Sequence, residues 1–260
     1  MVSEDYRTVN QDGWDRLART GCELSTPNGP DEFICARALR DPHGWLPWGR
    51  LESVLCLAAG GGRHGPLFAY LGYDVTVVDL SAEQLRRDRE VADRYGLALA
   101  CVQADMLDLS VLGGRCFDLV YQPVSTLYVP DVRRCYRQVA RTLVPGGLYH
   151  AEHWNPMQMQ LSEARPWDGE AYRIAYQPSR GVGRTWTADT CGDAATCRHY
   201  IHSIGDLIGG VCAAGFVVLG FAEQPPADAA APPGSHEHLA GYFPSFFSIL
   251  ARRRQVVTSA

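Results

Sequence analysis

The chain has 260 residues, of which 46% are hydrophobic and 20% are charged, and its formal net charge is −5. These values predict a soluble globular protein with one large domain, or with one domain that carries an inserted cap. The sequence contains no lysine and one run of three arginines, at residues 252–254. This composition argues against duplex nucleic acid as a partner and excludes lysine Schiff-base chemistry.

The first 50 residues are predicted to form a helical lid. Helices are predicted over 10–19 and 31–39, before prolines and a glycine break the chain ahead of the first strand. The segment is rich in large aromatic residues, and two interpretations of these rings stay open. Either they pack the segment onto the core, or they cover a pocket, with Tyr6 or Trp14 touching the ligand.

A nucleotide-binding unit is predicted next. Its order is strand, glycine turn, helix and strand, at residues 54–57, 60–62, 66–71 and 75–78. The letters Gly60-x-Gly62-x-x-Gly65 match the dinucleotide fingerprint, and Asp79 follows Gly60 at about the expected 20 positions. Glycines let the backbone approach a ligand closely, and an acid at the strand end accepts hydrogen bonds from a ribose diol. The pattern alone does not distinguish a dinucleotide from S-adenosylmethionine (SAM).

Strands and helices continue to alternate as far as residue 153. The predicted helices lie at 81–95 and 131–143, and the predicted strands at 97–103, 116–122 and 148–153. This alternation predicts an α/β fold with a doubly wound, mostly parallel sheet. The periodicity is lost over 154–200, which we interpret as a cap inserted over the carboxyl edge of the sheet.

The last segment is predicted to complete the sheet. A helix over 203–214 precedes strands at 216–222 and 242–251, which are separated by a loop and not by a helix. An antiparallel hairpin at the sheet edge is therefore expected. The predicted organisation is a lid over 1–50, a cofactor-binding core over 51–153, a cap over 154–200 and the C-terminal part of the core sheet over 201–260.

Five short motifs give the chain a resemblance to the class I SAM-dependent methyltransferases. They are VLCLAAGGG at 54–62, DLS at 79–81, QADM at 103–106, FDLV at 117–120 and LVPGGL at 143–148. The resemblance implies a Rossmann-like, seven-stranded sheet with an antiparallel C-terminal hairpin, which a nicotinamide-binding Rossmann domain usually lacks. It also implies SAM as the cofactor and S-adenosylhomocysteine as its product.

The resemblance implies roles for individual residues as well. The backbone of 58–62 would lie against the methionine part of SAM, Asp79 would bind the ribose, and Leu80 would pack on the adenine. Asp105 would accept from the adenine amine, and Met106 would donate its backbone N–H to the ring. The implied cofactor-binding set is Ala58, Ala59, Gly60, Gly62, His64, Asp79, Leu80, Asp105, Met106 and Gln122, the last on the sulfonium side.

One position departs from the family pattern. Many members have an acid at the end of the first strand, where this chain has Leu57-Ala58-Ala59. The approach of a carboxylate through the glycine loop is then either missing or supplied from elsewhere. His64 and Arg63 are candidates for holding the methionine carboxylate, and a solvated first helical turn is the alternative for both.

The acceptor is expected beyond the carboxyl ends of the fourth and fifth strands. His153 is the best candidate for a general base, because imidazole takes a proton near neutral pH, and a structural role at the cap interface is the alternative. Alternation places His150 and His153 on opposite faces of their strand, so at most one of them faces the acceptor. His199 and His202 are second catalytic candidates. Tyr128 either hydrogen-bonds the acceptor or packs in the core.

The cysteines and histidines give no sign of a metal site. Nine cysteines form no C-x-x-C pair, which indicates reduced thiols in a cytoplasmic protein. His236 and His238 lie in a loop rich in proline, glycine and alanine, without a third ligand at motif spacing. We therefore expect no bound metal.

These patterns predict a SAM-dependent methyltransferase that acts on a nitrogen or oxygen of a small molecule, in secondary metabolism. The aromatic lid and cap suit a small, partly apolar acceptor. Residues 122–125 also differ from the Asn/Asp-Pro-Pro-Tyr loop of enzymes that methylate amino groups of bases or of protein glutamine. No nucleic-acid or membrane partner is expected, and a homodimer is compatible with the sequence. The alternatives are an NAD(P)-dependent oxidoreductase and a SAM-binding partner protein without catalysis.

Overall fold

The computed structural model describes residues 5–160, 167–172, 184–190, 193–224, 228 and 230–255. Its helices are α1 (Tyr6–Thr20), α2 (Pro30–Ile34), α3 (Ala36–Arg40), α4 (Gly65–Tyr70), α5 (Ala82–Tyr95), α6 (Val132–Thr142), α7 (Ile204–Ala213) and α8 (His236–Tyr242). Its strands are β1 (Ser53–Leu57), β2 (Asp74–Asp79), β3 (Ala100–Gln103), β4 (Phe117–Gln122), β5 (Leu143–Trp154), β6 (Arg184–Thr190), β7 (Asp193–His199), β8 (Phe216–Glu223) and β9 (Phe246–Arg253). None of the helices in these ranges has both the length and the hydropathy to cross a membrane.

Seven strands form one sheet in the order β3-β2-β1-β4-β5-β9-β8. The strands from β1 to β5 are parallel; Leu55, for example, pairs with Thr76 on β2 and with Val120 on β4. Strand β9 is antiparallel to both β5 and β8. The predicted doubly wound, mostly parallel sheet with an antiparallel C-terminal hairpin is confirmed. Because the first five strands are parallel, their carboxyl ends meet at one edge of the sheet.

The parallel strands are buried on both faces, which explains their nearly continuous apolar sequences. Along β5, successive side chains pack against hydrophobic clusters on opposite faces of the sheet. His150 stacks on Tyr121 of β4, whereas Tyr149 and Ala151 pack into the cluster on the other face. The predicted alternation of His150 and His153 is therefore present, but both side chains are buried, with 1% and 0% of their surface exposed.

Strand β5 begins earlier than the sequence indicates. The Pro145-Gly146-Gly147 segment, predicted as a turn before the strand, lies inside it. Gly146 has a φ of 82°, and the pairing of β4 with β5 shifts register between Phe117 and Leu119. The turn residues therefore make a local irregularity in the ladder and do not interrupt the strand.

Three elements lie where the sequence predicted none. Strands β6 and β7 form an antiparallel hairpin in the predicted cap, and α8 lies in the segment predicted as a loop. Helix α1 packs closely on β7, because a Cβ added to Gly13 would lie 2.3 Å from the backbone oxygen of Thr196. Residues 161–166, 173–183 and 191–192 of the predicted cap lie outside the described residues.

Helix α1 is longer than predicted and is anchored on α5. It begins at Tyr6 because the side chain of Asp5 caps it, accepting from the backbone N–H of Arg7. The carboxylate of Asp15 accepts from the Ser81 hydroxyl at 2.5 Å and from the backbone N–H of Glu83 at 3.2 Å. These bonds fix the N-terminal helix against the N-terminus of α5, at the carboxyl edge of the sheet.

Candidate functional site

A cavity of about 380 Å³ lies where the parallel strands end. Its walls come from α1, α3, the glycine loop after β1, the ends of β2 and β5, and the segments after β3 and β4. The lining residues are Tyr6, Asn10, Trp14, Leu24, Arg40, Ala58, Ala59, Gly60, Arg63, His64, Val78, Asp79, Leu80, Gln84, Ala104, Asp105, Met106, Pro123, Val124, Ser125, Tyr128, Val129 and Glu152. This edge is where open α/β sheets bind their ligands.

Asp79 joins the glycine loop to the end of β2. Its Oδ2 accepts from the backbone N–H of Gly60 and its Oδ1 from that of Ser81, each at 2.9 Å. A Cβ on Gly60 would lie 2.6 Å from the Cβ of Gln84, so this close packing requires glycine. Burial raises the pKa of Asp79, and the N–H groups of Ser81 and Gly60 oppose that rise. Each carboxylate oxygen retains acceptor capacity for a ligand hydroxyl.

Asp105, the acid after β3, connects the cavity wall to α1. Its Oδ1 accepts from the backbone N–H of Leu107 at 2.9 Å. Its Oδ2 accepts from the Tyr6 hydroxyl at 2.5 Å and from Nε of Arg7 at 2.6 Å. Burial raises the pKa of Tyr6, and the hydrogen bond to Asp105 raises it further, so this hydroxyl stays protonated and donates. Asp105 thereby holds the first turn of α1 over the cavity, beside Met106.

A chain of polar side chains runs along the wall from the glycine loop to β5. Glu152 Oε1 accepts from the Tyr121 hydroxyl at 2.8 Å, and Arg40 Nη1 donates to the same hydroxyl at 3.4 Å. Arg40 Nη1 also hydrogen-bonds Nδ1 of His64. Burial lowers the pKa of His64 well below its ordinary value, and the charges of Arg40 and Arg63 lower it further. The imidazole is therefore neutral and accepts from Arg40.

The end of β1 carries no acid, but an acid from a later part of the chain lies close to the glycine loop. Asp88 of α5 is 0% exposed and lies behind the glycine loop, near the backbone N–H groups of Gly61 and Gly62. Its oxygens make no well-aligned hydrogen bond with the described residues. Burial raises its pKa well above the ordinary value, and the two N–H groups only partly oppose this. Ala58, in the loop directly after β1, has a φ of 48°, a left-handed conformation that is costly for a residue other than glycine.

Two of the residues predicted to contact the cofactor do not line the cavity. Gln122 is 0% exposed; its Oε1 accepts from the Tyr149 hydroxyl at 2.6 Å and its Nε2 donates to Ser125 at 3.0 Å. It supports the loop after β4 from the core, because the pleat of β4 turns it away from the cavity. Gly62 lies behind the loop, where a Cβ would be 2.8 Å from Cγ2 of Val91.

Two of the predicted catalytic residues, His153 and His202, are buried, and neither of them lines the cavity. His153 Nδ1 hydrogen-bonds the Thr126 hydroxyl at 2.9 Å, and burial lowers its pKa to about 3. Such an imidazole is a weak base at neutral pH. His202 Nε2 donates to the backbone oxygens of Thr126 and Val129, at 3.1 and 3.0 Å. Both rings brace the loop after β4, and this geometry favours a structural role for each.

Tyr128 does line the cavity, beneath a roof formed by α1. Its ring meets Trp14 edge-on, with centroids 5.3 Å apart, and burial raises its pKa, so its hydroxyl is a donor and not a base. Its backbone oxygen accepts from Nδ2 of Asn10 at 2.9 Å, while Oδ1 of Asn10 accepts from the backbone N–H of Arg198 at 2.6 Å. Asn10 is 2% exposed and ties α1 to the loop after β4 and to β7.

His236 and His238 lie in α8 and not in a loop. His238 Nδ1 hydrogen-bonds the Tyr172 hydroxyl at 2.5 Å, and the side chain of His236 lies outside the described residues. Within the described part of the chain, no group of three or more His, Cys, Asp or Glu side chains could hold a metal ion.

Comparisons with known proteins identify the family of this chain. A family model described as a methyltransferase domain matches residues 55–151. YbaJ of Bacillus subtilis, an uncharacterized methyltransferase, is 30% identical over 228 residues, which cover 83% of this chain and 89% of YbaJ. The chain belongs to the class I SAM-dependent methyltransferases.

Solved structures of methyltransferases share the fold of this methyltransferase. A SAM-dependent methyltransferase from Mesorhizobium loti is 26% identical, with a TM-score of 0.61 over 86% of this chain and 99% of that one. The 1,6-didemethyltoxoflavin-N1-methyltransferase of Burkholderia thailandensis, with S-adenosylhomocysteine bound, is 18% identical, with a TM-score of 0.60 over 96% and 90% of the two chains. The cofactor of this methyltransferase is SAM, and the oxidoreductase alternative is set aside.

The lining of the cavity is compatible with this cofactor. Asp79 has acceptor capacity for a ribose diol, Leu80 and Met106 offer apolar contact to an adenine ring, and Arg40 offers a cation to a carboxylate. Gly60 leaves no side chain between the loop backbone and a ligand. When bound, SAM supplies an electrophilic methyl group, and the residues of the methyltransferase bind, align and shield the reactants.

Proposed function

We propose that this methyltransferase transfers the methyl group of SAM to a nitrogen or oxygen atom of a small molecule, in secondary metabolism. The observation that carries this proposal is the roof formed by α1. Tyr6, Asn10 and Trp14 line the cavity from this helix, which is tied down at both Asp15 and Asn10. A covered cavity admits a small molecule, whereas a nucleic acid or a protein segment needs an open surface.

Charge and fold likeness support the same substrate class. The net charge of −5 disfavours a polyanionic acceptor. The Burkholderia thailandensis methyltransferase is bound to 1,6-didemethyltoxoflavin, a small molecule, within the same fold. That likeness supports a small acceptor.

The cofactor-binding roles are part of the proposal. Asp79 binds the ribose hydroxyls, Asp105 accepts from the adenine amine, and the backbone of Ala58 and Gly60 contacts the methionine part. Arg40 binds the methionine carboxylate, and neutral His64 orients its guanidinium by accepting from Nη1. A fixed cation is effective because little side-chain freedom is lost when the carboxylate binds.

The roof contributes to catalysis by excluding water and aligning the reactants. Methyl transfer is an in-line displacement, so most of the acceleration comes from holding the two reacting atoms close and in line. The first turn of α1 is held by Asp105, and the middle of the helix by Asn10. These contacts hold α1 over the cavity, where it shields the bound reactants from water.

Replacing Arg40 by glutamine is expected to lower the affinity for S-adenosylhomocysteine about tenfold, because a charge-assisted hydrogen bond to the carboxylate is lost. Affinity for 5′-methylthioadenosine, which lacks the amino-acid part, should not change. Calorimetric titration of both ligands measures the difference. The matched control is Arg37→Gln on the same helix, since Arg37 is exposed and lies over Trp48. Equal losses for the two ligands would contradict the role of Arg40.

Transfer of labelled methyl groups tests the function itself. The protein is incubated with SAM carrying a tritiated methyl group, together with a small-molecule extract, with RNA or with total protein. We expect label only in the small-molecule fraction. Label in RNA or in protein, with none in small molecules, would contradict the proposed substrate class.

A further inference from the structure

One acid in the cavity has no part in the proposed cofactor site. Three carboxylates line the wall, those of Asp79, Asp105 and Glu152. Asp79 ends β2 and Asp105 follows β3, on the side of the sheet proposed for adenosine. Glu152 belongs to β5, and β4 separates this strand from β1. Its position at the carboxyl end of β5 therefore points to the acceptor.

Glu152 is held in one orientation with one oxygen available. Its Oε1 accepts from the Tyr121 hydroxyl at 2.8 Å. Burial raises the pKa of Tyr121 well above its ordinary value, so this hydroxyl remains a donor. The Tyr121 ring is itself fixed, stacked on His150 with centroids 4.9 Å apart and planes 5° apart. Oε2 of Glu152 has no hydrogen-bond partner among the residues that the structure describes.

The loop after β4 adds no charge to the wall next to Glu152. The loop after β4 contributes Pro123, Val124, Ser125, Tyr128 and Val129 to the cavity, all of them uncharged side chains. Arg40, the cation of the same wall, is engaged by His64 and by the Tyr121 hydroxyl. Among the described lining residues, Glu152 is therefore the acid that a substrate meets at the carboxyl ends of β4 and β5.

A carboxylate at this point favours cationic acceptors over anionic ones. Phenolates, thiolates and carboxylates react as anions, and a nearby carboxylate repels them. An alkylamine is an ammonium ion at neutral pH and forms a charge-assisted hydrogen bond with a carboxylate. We infer that Glu152 binds the amino group of the acceptor, and that the acceptor is a primary or secondary alkylamine. This inference rests on the proposed function and narrows it to methylation of nitrogen.

The same contact provides a path for the proton. The ammonium nitrogen has no free electron pair, so one proton passes from nitrogen to the carboxylate of Glu152. The freed pair forms the new nitrogen–carbon bond while the pair of the carbon–sulfur bond leaves with sulfur. The product is a methylated ammonium ion, and Glu152 then releases its proton to solvent. Charge and atoms balance with one proton released per turnover.

The first test separates acceptor binding from cofactor binding. S-adenosylhomocysteine and 5′-methylthioadenosine are titrated calorimetrically into wild type, Glu152→Gln and the control Glu223→Gln, an exposed acid on β8. We expect both affinities to stay within about twofold in all three proteins. If Glu152→Gln weakens S-adenosylhomocysteine but not 5′-methylthioadenosine, Glu152 holds the ammonium of the cofactor and the inference is wrong.

The second test uses the complex with S-adenosylhomocysteine and a panel of alkylamines, with alcohols, phenols and carboxylates of matched size. Binding is followed by saturation-transfer NMR and located by crystal soaking. We expect amines to bind the wild-type complex, and to bind the Glu152→Gln complex about tenfold more weakly. Preferred binding of phenols or carboxylates, amine binding that Glu152→Gln leaves unchanged, or no amine binding at all would overturn the inference. Failure of wild type to bind S-adenosylhomocysteine would instead contradict the proposed function.

Discussion

Replacing Asp79 by asparagine is expected to lower the affinity for S-adenosylhomocysteine by about 10- to 100-fold. Asp79 accepts two backbone N–H groups, from Gly60 and Ser81, and still has acceptor capacity for the ribose hydroxyls. An asparagine of the same size has one oxygen, so its NH₂ group must face either a backbone N–H or a ribose hydroxyl. The variant therefore loses both acceptor capacity and charge at the point where the loop meets the ligand.

Calorimetric titration measures this loss, and a thermal melt of each protein reports whether the glycine loop is still folded. Asp93→Asn is the matched control, because Asp93 is exposed near the end of α5 and lies away from the cavity. We expect the control to bind like wild type. An Asp79→Asn protein that melts like wild type and binds S-adenosylhomocysteine with unchanged affinity would remove Asp79 from the cofactor site.

The second prediction is that the protein loses folding stability in mild acid, and that His150 causes part of this loss. Burial lowers the pKa of His150 to about 4. Its ring nitrogens have no hydrogen-bond partner among the described residues. An unfolded histidine has a pKa of about 6.5, so below that pH the unfolded chain binds a proton that the folded protein does not. Stability therefore falls as the pH decreases from about 6.5 towards 4, by about 1.4 kcal/mol per pH unit.

His150→Phe isolates this contribution. Phenylalanine keeps the stacking on Tyr121 and leaves no unpaired nitrogen, so we expect equal or higher stability than wild type at neutral pH. Between pH 6.5 and 5, the stability difference between the two proteins should grow by about 2 kcal/mol. Urea unfolding at the two pH values measures it. A difference that is independent of pH would contradict a buried, neutral His150.

The sequence predicts those parts of the site whose residues are marked by a motif or by their position directly after a strand. The glycine spacing and the acid at the end of β2 place Gly60 and Asp79 together, because β1 and β2 are adjacent parallel strands whose carboxyl ends lie side by side. Asp105 is found by its position directly after a strand. All three line the cavity, as does the lid residue Tyr6.

The residues that sequence reasoning missed act through contacts between distant parts of the chain. Asn10 bonds the backbone of Tyr128, and Arg40 donates to Tyr121. No spacing pattern signals either pair, since their positions are set by the packing of α1 and α3 on the sheet. Glu152 stands in the segment expected to face the acceptor, but nothing in its neighbourhood distinguishes it from a solvated acid.

His153 shows a second reason why a sequence pattern alone does not locate a catalytic residue. Alternation along β5 separates His150 from His153 but does not reveal that both faces of a parallel strand are covered. The cluster that contains Tyr149 and Ala151 covers the face of His153, and Trp45 and Tyr121 lie against His150. A histidine at a strand end is therefore a candidate base only when the packing on its face is known.

A crystal structure of the protein with S-adenosylhomocysteine tests the central claim most directly. The account predicts the ligand in the cavity at the carboxyl edge, with the ribose hydroxyls bonded to Asp79, the carboxylate at Arg40, and the sulfur facing the part of the wall that contains Glu152. A ligand bound elsewhere, or one whose ribose makes no contact with Asp79, would contradict it.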